Sequence, residues 1–227
     1  MEELVGNVLS ALHRVPWLDE CGPAAVRQLA MASRLERLND GKMVAWRGRQ
    51  TSHLMVVATG ALELSMTNAV GKRHVMSWLK PGQVFGLIPL IDQSTLIHDA
   101  CARGDSRLVL VPGPSFLIAL QDYPALSLSV MRLLCERARR MYELLADHSL
   151  LSLPTRLARL ILHQLHDSGS TVIVMSQSDL ADMLGVARQS LNVELKQLEN
   201  AGIITLARGR IELRDCAKLQ HLASIAD

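Results

Sequence analysis

The sequence predicts an α+β protein with a β-rich N-terminal domain, one long helix and a C-terminal winged helix-turn-helix. Three observations support this fold class. Short β-like runs separated by glycine and proline occupy residues 41–112. A continuous helical pattern runs from 123 to about 148. Two short helical segments and a hairpin-like segment lie between 176 and 213. We therefore divide the chain into three segments, 1–122, 123–150 and 151–227.

The composition of the 227-residue chain is that of a globular protein, because 49% of the residues are hydrophobic and 20% are charged. The net charge of +2 is too small for a protein that coats nucleic acid without discrimination. Contact with nucleic acid would therefore require a local basic surface. The start of the chain has no basic segment followed by an apolar run, and no stretch approaches the roughly 18 apolar residues of a membrane span. We expect a cytoplasmic protein with no membrane partner.

The sequence lacks the patterns of common metal and catalytic sites. Its four cysteines, Cys21, Cys101, Cys135 and Cys216, are widely separated and form no CxxC pair. It contains no HExxH motif, phosphate-binding glycine loop or nucleophile elbow, and Gly104-Asp105-Ser106 has no paired base. We therefore expect no metal site and no enzymatic activity.

The N-terminal domain begins with helical spacing and then changes to strands. Residues 5–37 place apolar residues at helical intervals, with Leu35 continuing the pattern of Val26 and Leu29. The β-like runs that follow end at glycine or proline turns and comprise Leu54–Ala58, Ala61–Met66, Val75–Leu79 and Leu108–Val111. Short strands at this spacing predict a small sandwich or barrel.

The long helix begins at Tyr123-Pro124, where proline is tolerated in the first turn. It carries two apolar stripes. One stripe has the spacing of a two-helix seam and consists of Val130, Leu134, Met141 and Leu144. The second consists of Met131, Cys135, Ala138, Tyr142 and Leu145. Since one partner surface cannot cover both stripes, we expect one to pack on the N-terminal domain and the other on a second copy of the chain. Arg137 interrupts the seam, and a helix buried within a single chain is the alternative.

The sharpest pattern lies between residues 176 and 198. Ser176 and Asp179 form an S-x-x-D capping box that begins a short helix. Ala181 is small enough for a close helix crossing, and Gly185 tolerates the positive φ that the turn requires. A second helix would then bury Val186, Leu191 and Leu195. This pattern predicts a helix-turn-helix, and the alternative is a helical hairpin with a solvated polar face.

The second helix exposes side chains that can read DNA bases. Arg188, Gln189 and Asn192 lie near its N-terminal end, which enters the major groove in this motif. Arginine can donate two hydrogen bonds to guanine, and glutamine or asparagine can pair bidentately with adenine. The residues expected to contact the DNA backbone are Ser176, Gln177, Ser190, Lys196, Arg208 and Arg210. Ala187 stands where a Ser or Thr cap would stabilise the helix by about 1 kcal/mol.

These motifs together resemble the cyclic-AMP receptor protein/fumarate-nitrate regulator (CRP/FNR) family over nearly the whole chain. The segments that carry the resemblance are Arg47-Gly48, Thr59–Glu63, Pro81–Gly86, Tyr123-Pro124, Pro154–Ala158 and Gly185–Asn192. The resemblance implies a cyclic-nucleotide-binding-like β-roll (jelly roll), a long dimerisation helix and a winged helix-turn-helix. It also implies a homodimer on a palindromic operator in double-stranded DNA, with RNA polymerase as a further partner.

The region that resembles the effector cassette departs from the nucleotide-binding members. Those members follow Phe-Gly with a glutamate for the ribose and clamp the cyclic phosphate with Arg-Ser or Arg-Thr. Here Phe85-Gly86 precedes Leu87-Ile88, and His98-Asp99 occupies the clamp position. A phosphodiester would lose its bidentate cation and gain a nearby carboxylate. Met141 and Tyr142, in place of two small hydroxyl residues, complete a pocket that disfavours cyclic AMP and favours an apolar effector or none.

Other sensors of the family are less well supported by the residues. Cys21 stands alone, whereas iron–sulfur members need clustered N-terminal cysteines. Heme stays open as a cofactor because four side chains offer axial ligands, namely His53, His74, His98 and Met76. In the second helix, Gln189 and Val193 replace an acidic residue and an arginine common in the family, so we expect a different half-site. A sensor module that acts through a protein partner without binding DNA is the alternative function.

Overall fold

The polypeptide divides into two units, Met1–Arg137 and Ala138–Asp227, and the boundary falls within the long helix. The computed structural model describes residues 2–71 and 73–224. The outer ends of the first and last predicted segments, residues 1 and 225–227, therefore lie outside the described residues. The three-segment division stays a prediction.

The first unit begins with helices and then changes to a strand earlier than predicted. The helices are α1 (Glu2–Leu12), α2 (Pro16–Asp19) and α3 (Pro23–Ala32), and strand β1 (Arg34–Leu38) follows. The prediction of helix through residue 37 is wrong, because Leu35 lies in β1. Ser33 ends α3 in an extended conformation, with its hydroxyl donating to the Leu29 carbonyl at 2.6 Å. β1 then pairs with a strand about seventy residues later, and this pairing overrides the local helical spacing.

The first unit is built around one antiparallel sheet. Its further strands are β2 (Met43–Ala45), β3 (His53–Thr67), β4 (Arg73–Leu79), β5 (Val84–Phe85) and β6 (Asp99–Pro112). The order is β1-β6-β3-β4, while β2 pairs with β6 and β5 pairs with β3. The helices that follow β5 and β6 are α4 (Leu87–Asp92) and α5 (Gly113–Asp122). The sheet therefore depends mainly on β3 and β6, which pair from His53↔Pro112 to Ser65↔Asp99.

Strand β3 is continuous where the sequence predicts two runs separated by Thr59-Gly60. Its register with β6 shifts on both sides of Thr59. Gly60 has φ +75°, and a Cβ at this position would collide with Ser106. Only glycine fits this close approach, and the bulged register lets the strand bend without ending.

Two apolar clusters stabilise the first unit. Alternate residues of β3 supply both, because side chains along a strand point to opposite faces. Leu54 and Val56 pack between the sheet and the helices, together with Leu12, Leu29, Phe116 and Leu126. Met55 and Val57 pack inside the roll, together with Leu62, Phe85, Ala100 and Leu108. Each buried Leu or Phe side chain stabilises the fold by roughly 1.5–3 kcal/mol.

The long helix and the second unit follow the predicted order. Helix α6 spans Pro124–Leu150 and confirms the predicted long helix. The elements after it are α7 (Leu153–Ser168), β7 (Val172–Val174), α8 (Gln177–Leu184), α9 (Arg188–Asn200), β8 (Ile204–Ala207), β9 (Arg210–Leu213) and α10 (Cys216–Ser224). The three strands form an antiparallel sheet in the order β7-β9-β8. The unit is a winged helix-turn-helix with α8 and α9 as its paired helices.

Candidate DNA-binding surface and effector cassette

Helix α8 begins at a side-chain cap. Ser176 has the extended backbone of an N-cap, and its Oγ accepts a hydrogen bond from the Asp179 N–H at 3.1 Å. The same hydroxyl donates to Asp179 Oδ2 at 2.7 Å. The serine therefore satisfies an N–H that has no acceptor within the helix. This confirms the predicted cap, although the Asp179 carboxylate accepts from the serine hydroxyl.

The turn between α8 and α9 has the predicted left-handed residue. Gly185 has φ 68° and ψ 26°, and Val186 N–H bonds to the Ala181 carbonyl at 3.0 Å. Ala181 is 2% exposed, as a close helix crossing requires. Ala187 precedes α9 with an extended backbone but makes no side-chain cap. The N-cap residue of α9 therefore offers no side-chain hydroxyl that could accept a hydrogen bond from the first N–H groups of the helix.

Helix α9 has a buried face and an opposite exposed face. Leu191 and Leu195 are fully buried, and Leu198 is 5% exposed. Near the N-terminal end, Arg188 and Gln189 are exposed. Of the other residues predicted to contact DNA from this helix, Ser190 and Lys196 are exposed and Asn192 is half-buried. The helix N-terminus adds a partial positive charge beside these side chains.

The hairpin lies beside the start of α8. Met175 N–H donates to the Gly209 carbonyl at 3.0 Å, which holds the β8–β9 turn next to the N-cap. Arg208 and Arg210 flank Gly209 and are both exposed. On the α8 side, Ser176 is exposed and Gln177 is half-buried. The sequence did not predict the Met175–Gly209 contact, because a hydrogen bond over this separation leaves no local pattern.

The predicted effector residues point in different directions. Phe85 is 6% exposed and packs inside the roll, whereas Leu87 is 1% exposed and packs between the sheet and the helices. Gly86 joins them with φ +87°, where a Cβ would lie 2.9 Å from the His53 carbonyl. Ile88 is 37% exposed. Leu87 is thus a core residue of the helix–sheet layer, and the predicted set is not one continuous apolar lining.

The predicted clamp position holds no arginine. His98 and Asp99 are both half-buried, and the Arg47 N–H donates to Asp99 Oδ1 at 2.9 Å. Burial first, and then the nearby Arg47 guanidinium, lower the pKa of His98. The imidazole is therefore mostly uncharged near neutral pH. A phosphate beside these two residues would meet a neutral ring and a carboxylate that is already bonded.

The two predicted stripes of α6 have different surroundings. Val130 is 3% exposed in the core of the first unit, and Leu134 packs against that core. These two seam residues therefore pack within their own chain, and assigning Val130 to an intermolecular seam is wrong. The large apolar residues exposed along the helix are Leu128 at 45%, Met131 at 54%, Met141 at 55%, Tyr142 at 74%, Leu144 at 56%, Leu145 at 65% and Leu150 at 71%. Periodicity cannot tell which stripe the rest of a chain covers.

Sequence patterns also missed a buried carboxylate in the roll. Glu63 lies on β3 with no exposed surface and is paired with Arg73 and Arg103. Arg103 Nε donates to Glu63 Oε2 at 2.7 Å. Its neighbours Leu62 and Leu64 pack in the roll interior. Strand alternation therefore places Glu63 on the opposite face of β3 and gives no sign that the carboxylate is buried. Within residues 2–71 and 73–224, no group of three His, Cys, Asp or Glu side chains can hold a metal ion.

Two family models match separate parts of the chain. A cyclic nucleotide-binding domain matches residues 35–123, and a Crp-like helix-turn-helix domain matches residues 155–222. The chain is 27% identical over 186 residues to the cyclic AMP receptor protein of Thermus thermophilus, covering 81% of this chain and 85% of that protein. It is 26% identical over 190 residues to the HTH-type transcriptional regulator Cmr of Mycobacterium tuberculosis, covering 84% and 76%.

This chain belongs to the CRP/FNR family of transcription regulators.

Solved structures agree with the fold of this CRP/FNR regulator. FixK2 from Bradyrhizobium japonicum superposes with a TM-score of 0.76 at 20% identity, covering 86% of this chain and 99% of that one. A CRP/FNR regulator from Eubacterium rectale gives 0.74 at 17% identity, covering 93% and 99%. The family resemblance and the α+β fold predicted from sequence are confirmed. In the described part of this regulator, every helix is too short or too polar to cross a membrane.

Proposed function

We propose that this regulator binds a palindromic DNA operator as a homodimer and reads each half-site with the N-terminal part of α9. The observation that carries the proposal is the exposure of Arg188 and Gln189 in the first turn of α9, directly after the Gly185 turn. Leu191 and Leu195 anchor the opposite face of the helix. The polar first turn is therefore held outward on a rigid element, as base recognition requires.

Arg188, Gln189 and Asn192 supply the base contacts in this proposal. Arg188 would donate to guanine O6 and N7, and the two amide side chains suit adenine. The backbone contacts would come from Ser176, Gln177, Ser190, Lys196, Arg208 and Arg210. The hydrogen bond between Met175 and Gly209 supports this set, because it places the hairpin arginines beside the α8 N-cap. The hairpin arginines and the residues at the α8 N-cap would then contact neighbouring phosphates of one DNA strand.

The dimer interface would use the exposed apolar residues of α6. Met141 and Leu144 are exposed members of the predicted seam, and Tyr142 and Leu145 flank them. Large apolar side chains clustered on one exposed helix favour burial against a partner. A second copy of α6 would supply that surface, while Val130 and Leu134 stay in their own core.

The effector would be apolar, or the regulator would act without one. Within the first unit, Ile88, His98 and Asp99 remain as lining candidates after Leu87 is assigned to the core. The pairing of Asp99 with the Arg47 N–H and the lowered pKa of His98 argue against a cyclic phosphate at this position. Heme stays the alternative cofactor. The cytoplasm as location and RNA polymerase as a partner follow from the family alone.

Selection of bound sequences from a random DNA pool tests the proposed function. Purified full-length protein is used without added ligand, and Arg188→Ala serves as the matched variant. We expect wild type to enrich a palindrome whose half-sites lie about one helical turn apart, and Arg188→Ala to enrich it poorly. Enrichment of no sequence by either protein, with or without an effector, would instead favour a sensor module that acts through a protein partner.

A further inference from the structure

One apolar side chain of α9 faces away from the protein core. Val193 is 56% exposed, whereas the other branched apolar residues of the helix, Leu191, Leu195 and Leu198, are buried. Isolated exposed valines are common on protein surfaces and need no explanation. The exposure of Val193 is significant because of its position on the helix proposed to enter the major groove.

The geometry of the helix places Val193 at the centre of the exposed face. Successive helical residues are rotated by roughly 100°, so residues two apart point in nearly opposite directions. Val193 is two residues after Leu191 and two residues before Leu195, both fully buried. Its side chain is therefore directed away from both anchors. Gln189 lies four residues earlier and shares this face.

A valine at this position is poorly suited to contact with phosphates or water. It has no donor for a phosphate oxygen, and its branched side chain is a weaker helix former than the long polar residues. In the major groove, however, the edge of each A·T pair carries one apolar group, the C5-methyl of thymine. The two γ-methyls of Val193 match that group in chemistry and size.

We propose that Val193 determines specificity by contacting the C5-methyl of a thymine in each half-site. The inference rests on the proposed function, because it requires α9 to enter the major groove. The Cβ atoms of Gln189 and Val193 are separated by roughly 5–6 Å along the helix face, and base pairs stack about 3.4 Å apart. The thymine therefore lies within about two base pairs of the adenine read by Gln189. The half-site combines guanine, adenine and thymine at positions read by Arg188, Gln189 and Val193.

Replacement of thymine by uracil tests this contact, because it removes only the C5-methyl. Each thymine of the selected operator is replaced in turn, in both half-sites, and the affinity of full-length protein is measured by fluorescence anisotropy. We expect one position at which uracil weakens wild-type binding about fourfold per half-site, the effect of losing one buried methyl. Val193→Ala should bind the uracil and thymine operators with equal affinity at that position.

A matched control comes from the same unit. Val174 is 78% exposed but lies on β7, so Val174→Ala should keep the full wild-type sensitivity to uracil. Wild-type tolerance of uracil at every thymine, or undiminished sensitivity in Val193→Ala, would overturn the inference while leaving the proposed function intact. A wild-type chain that selects no sequence would overturn both.

Discussion

Arg137 of α6 donates a hydrogen bond from Nη2 to the carbonyl oxygen of Val84 at 3.1 Å. Val84 begins the short strand that leads into Phe85-Gly86, so this bond joins the long helix to the effector cassette within the first unit. Burial lowers the pKa of the Arg137 guanidinium, and neighbouring Glu136 opposes that shift. The arginine that interrupts the apolar seam in the sequence therefore has a structural partner.

Removal of this donor should destabilise the first unit. Arg137→Met keeps the length of the aliphatic chain but cannot donate to the Val84 carbonyl. We expect the free energy of unfolding to fall by about 1–2 kcal/mol, since the lost bond has a charged donor and lies partly buried. Urea denaturation measures this value. Arg140→Met, at an exposed position of the same helix, should change it by less than about 0.5 kcal/mol; equal effects would refute the assignment.

The uncapped start of α9 offers a stabilising substitution. Ala187 already has the extended φ and ψ of an N-cap, −68° and 140°, without a side-chain acceptor. Ala187→Ser should accept an N–H of the first turn and raise the free energy of unfolding by about 0.5–1 kcal/mol. Ser176→Ala is the reciprocal control and should lower it by a similar amount, because Ser176 caps α8. Thermal or urea denaturation that gives the same sign for both variants would contradict this.

Charge in the exposed stripe of α6 should disrupt the dimer. Met141→Glu and Leu144→Glu each place a carboxylate among the residues proposed for the interface, where its desolvation is unfavourable. We expect analytical ultracentrifugation to show monomers and operator affinity to fall at least tenfold. Val70→Glu is the control, because Val70 is 87% exposed on a turn of the roll. Unchanged dimers and unchanged affinity in both α6 variants would rule out this interface.

His98 should make the stability of the protein depend on pH. Its pKa in the folded protein lies below the ordinary 6.5, mainly through burial. The unfolded chain therefore binds this proton at a higher pH than the folded chain does. The contribution of uncharged His98 to the free energy of unfolding is therefore fully present above pH 6.5. It is lost as the pH falls from 6.5 toward the lower pKa of the folded state. Three carboxylates also have pKa values lowered from the ordinary 3.8, namely Asp92, Asp105 and Asp215. Their effect on stability therefore falls at a pH below this window.

Urea denaturation of His98→Gln at a series of pH values measures that contribution. The decline in stability between pH 6.5 and about pH 5 should be shallower in the variant than in wild type. His53 also has a lowered pKa through burial, so the double variant should give the flattest profile. A decline that is as steep in His98→Gln as in wild type would show that His98 is not its source.

The second unit was predictable because its signals act over a few residues. The Ser176 hydroxyl bonds three residues along the chain, and Gly185 sets the turn through its own φ. The buried face of α9 follows directly from the spacing of Leu191 and Leu195. Local rules of capping, turn conformation and periodicity therefore suffice for this part of the fold.

The first unit was less predictable because its strands depend on distant partners. Leu35 fits a helical pattern, yet β1 pairs with β6, with Arg34 opposite Leu110. The same limit applied to Val130, whose position in a stripe did not reveal that its own chain covers it. Leu87 is a third example, because its place in an apolar run did not show that it packs in the core. Hydrophobic periodicity shows which residues share one face of a helix or strand. Which part of the chain covers that face depends on the pairing and packing of distant segments.

Affinity for the selected operator and for random DNA, measured with Arg188→Ala and Lys196→Ala over a range of salt concentrations, tests the central claim most directly. Arg188→Ala should lose roughly 1–3 kcal/mol on the operator and little on random DNA, because it removes a base contact. Lys196→Ala should weaken both DNAs alike and lower the salt slope by about one, because it removes a phosphate contact. Equal losses on operator and random DNA for Arg188→Ala would contradict the proposal that α9 reads the sequence through this side chain.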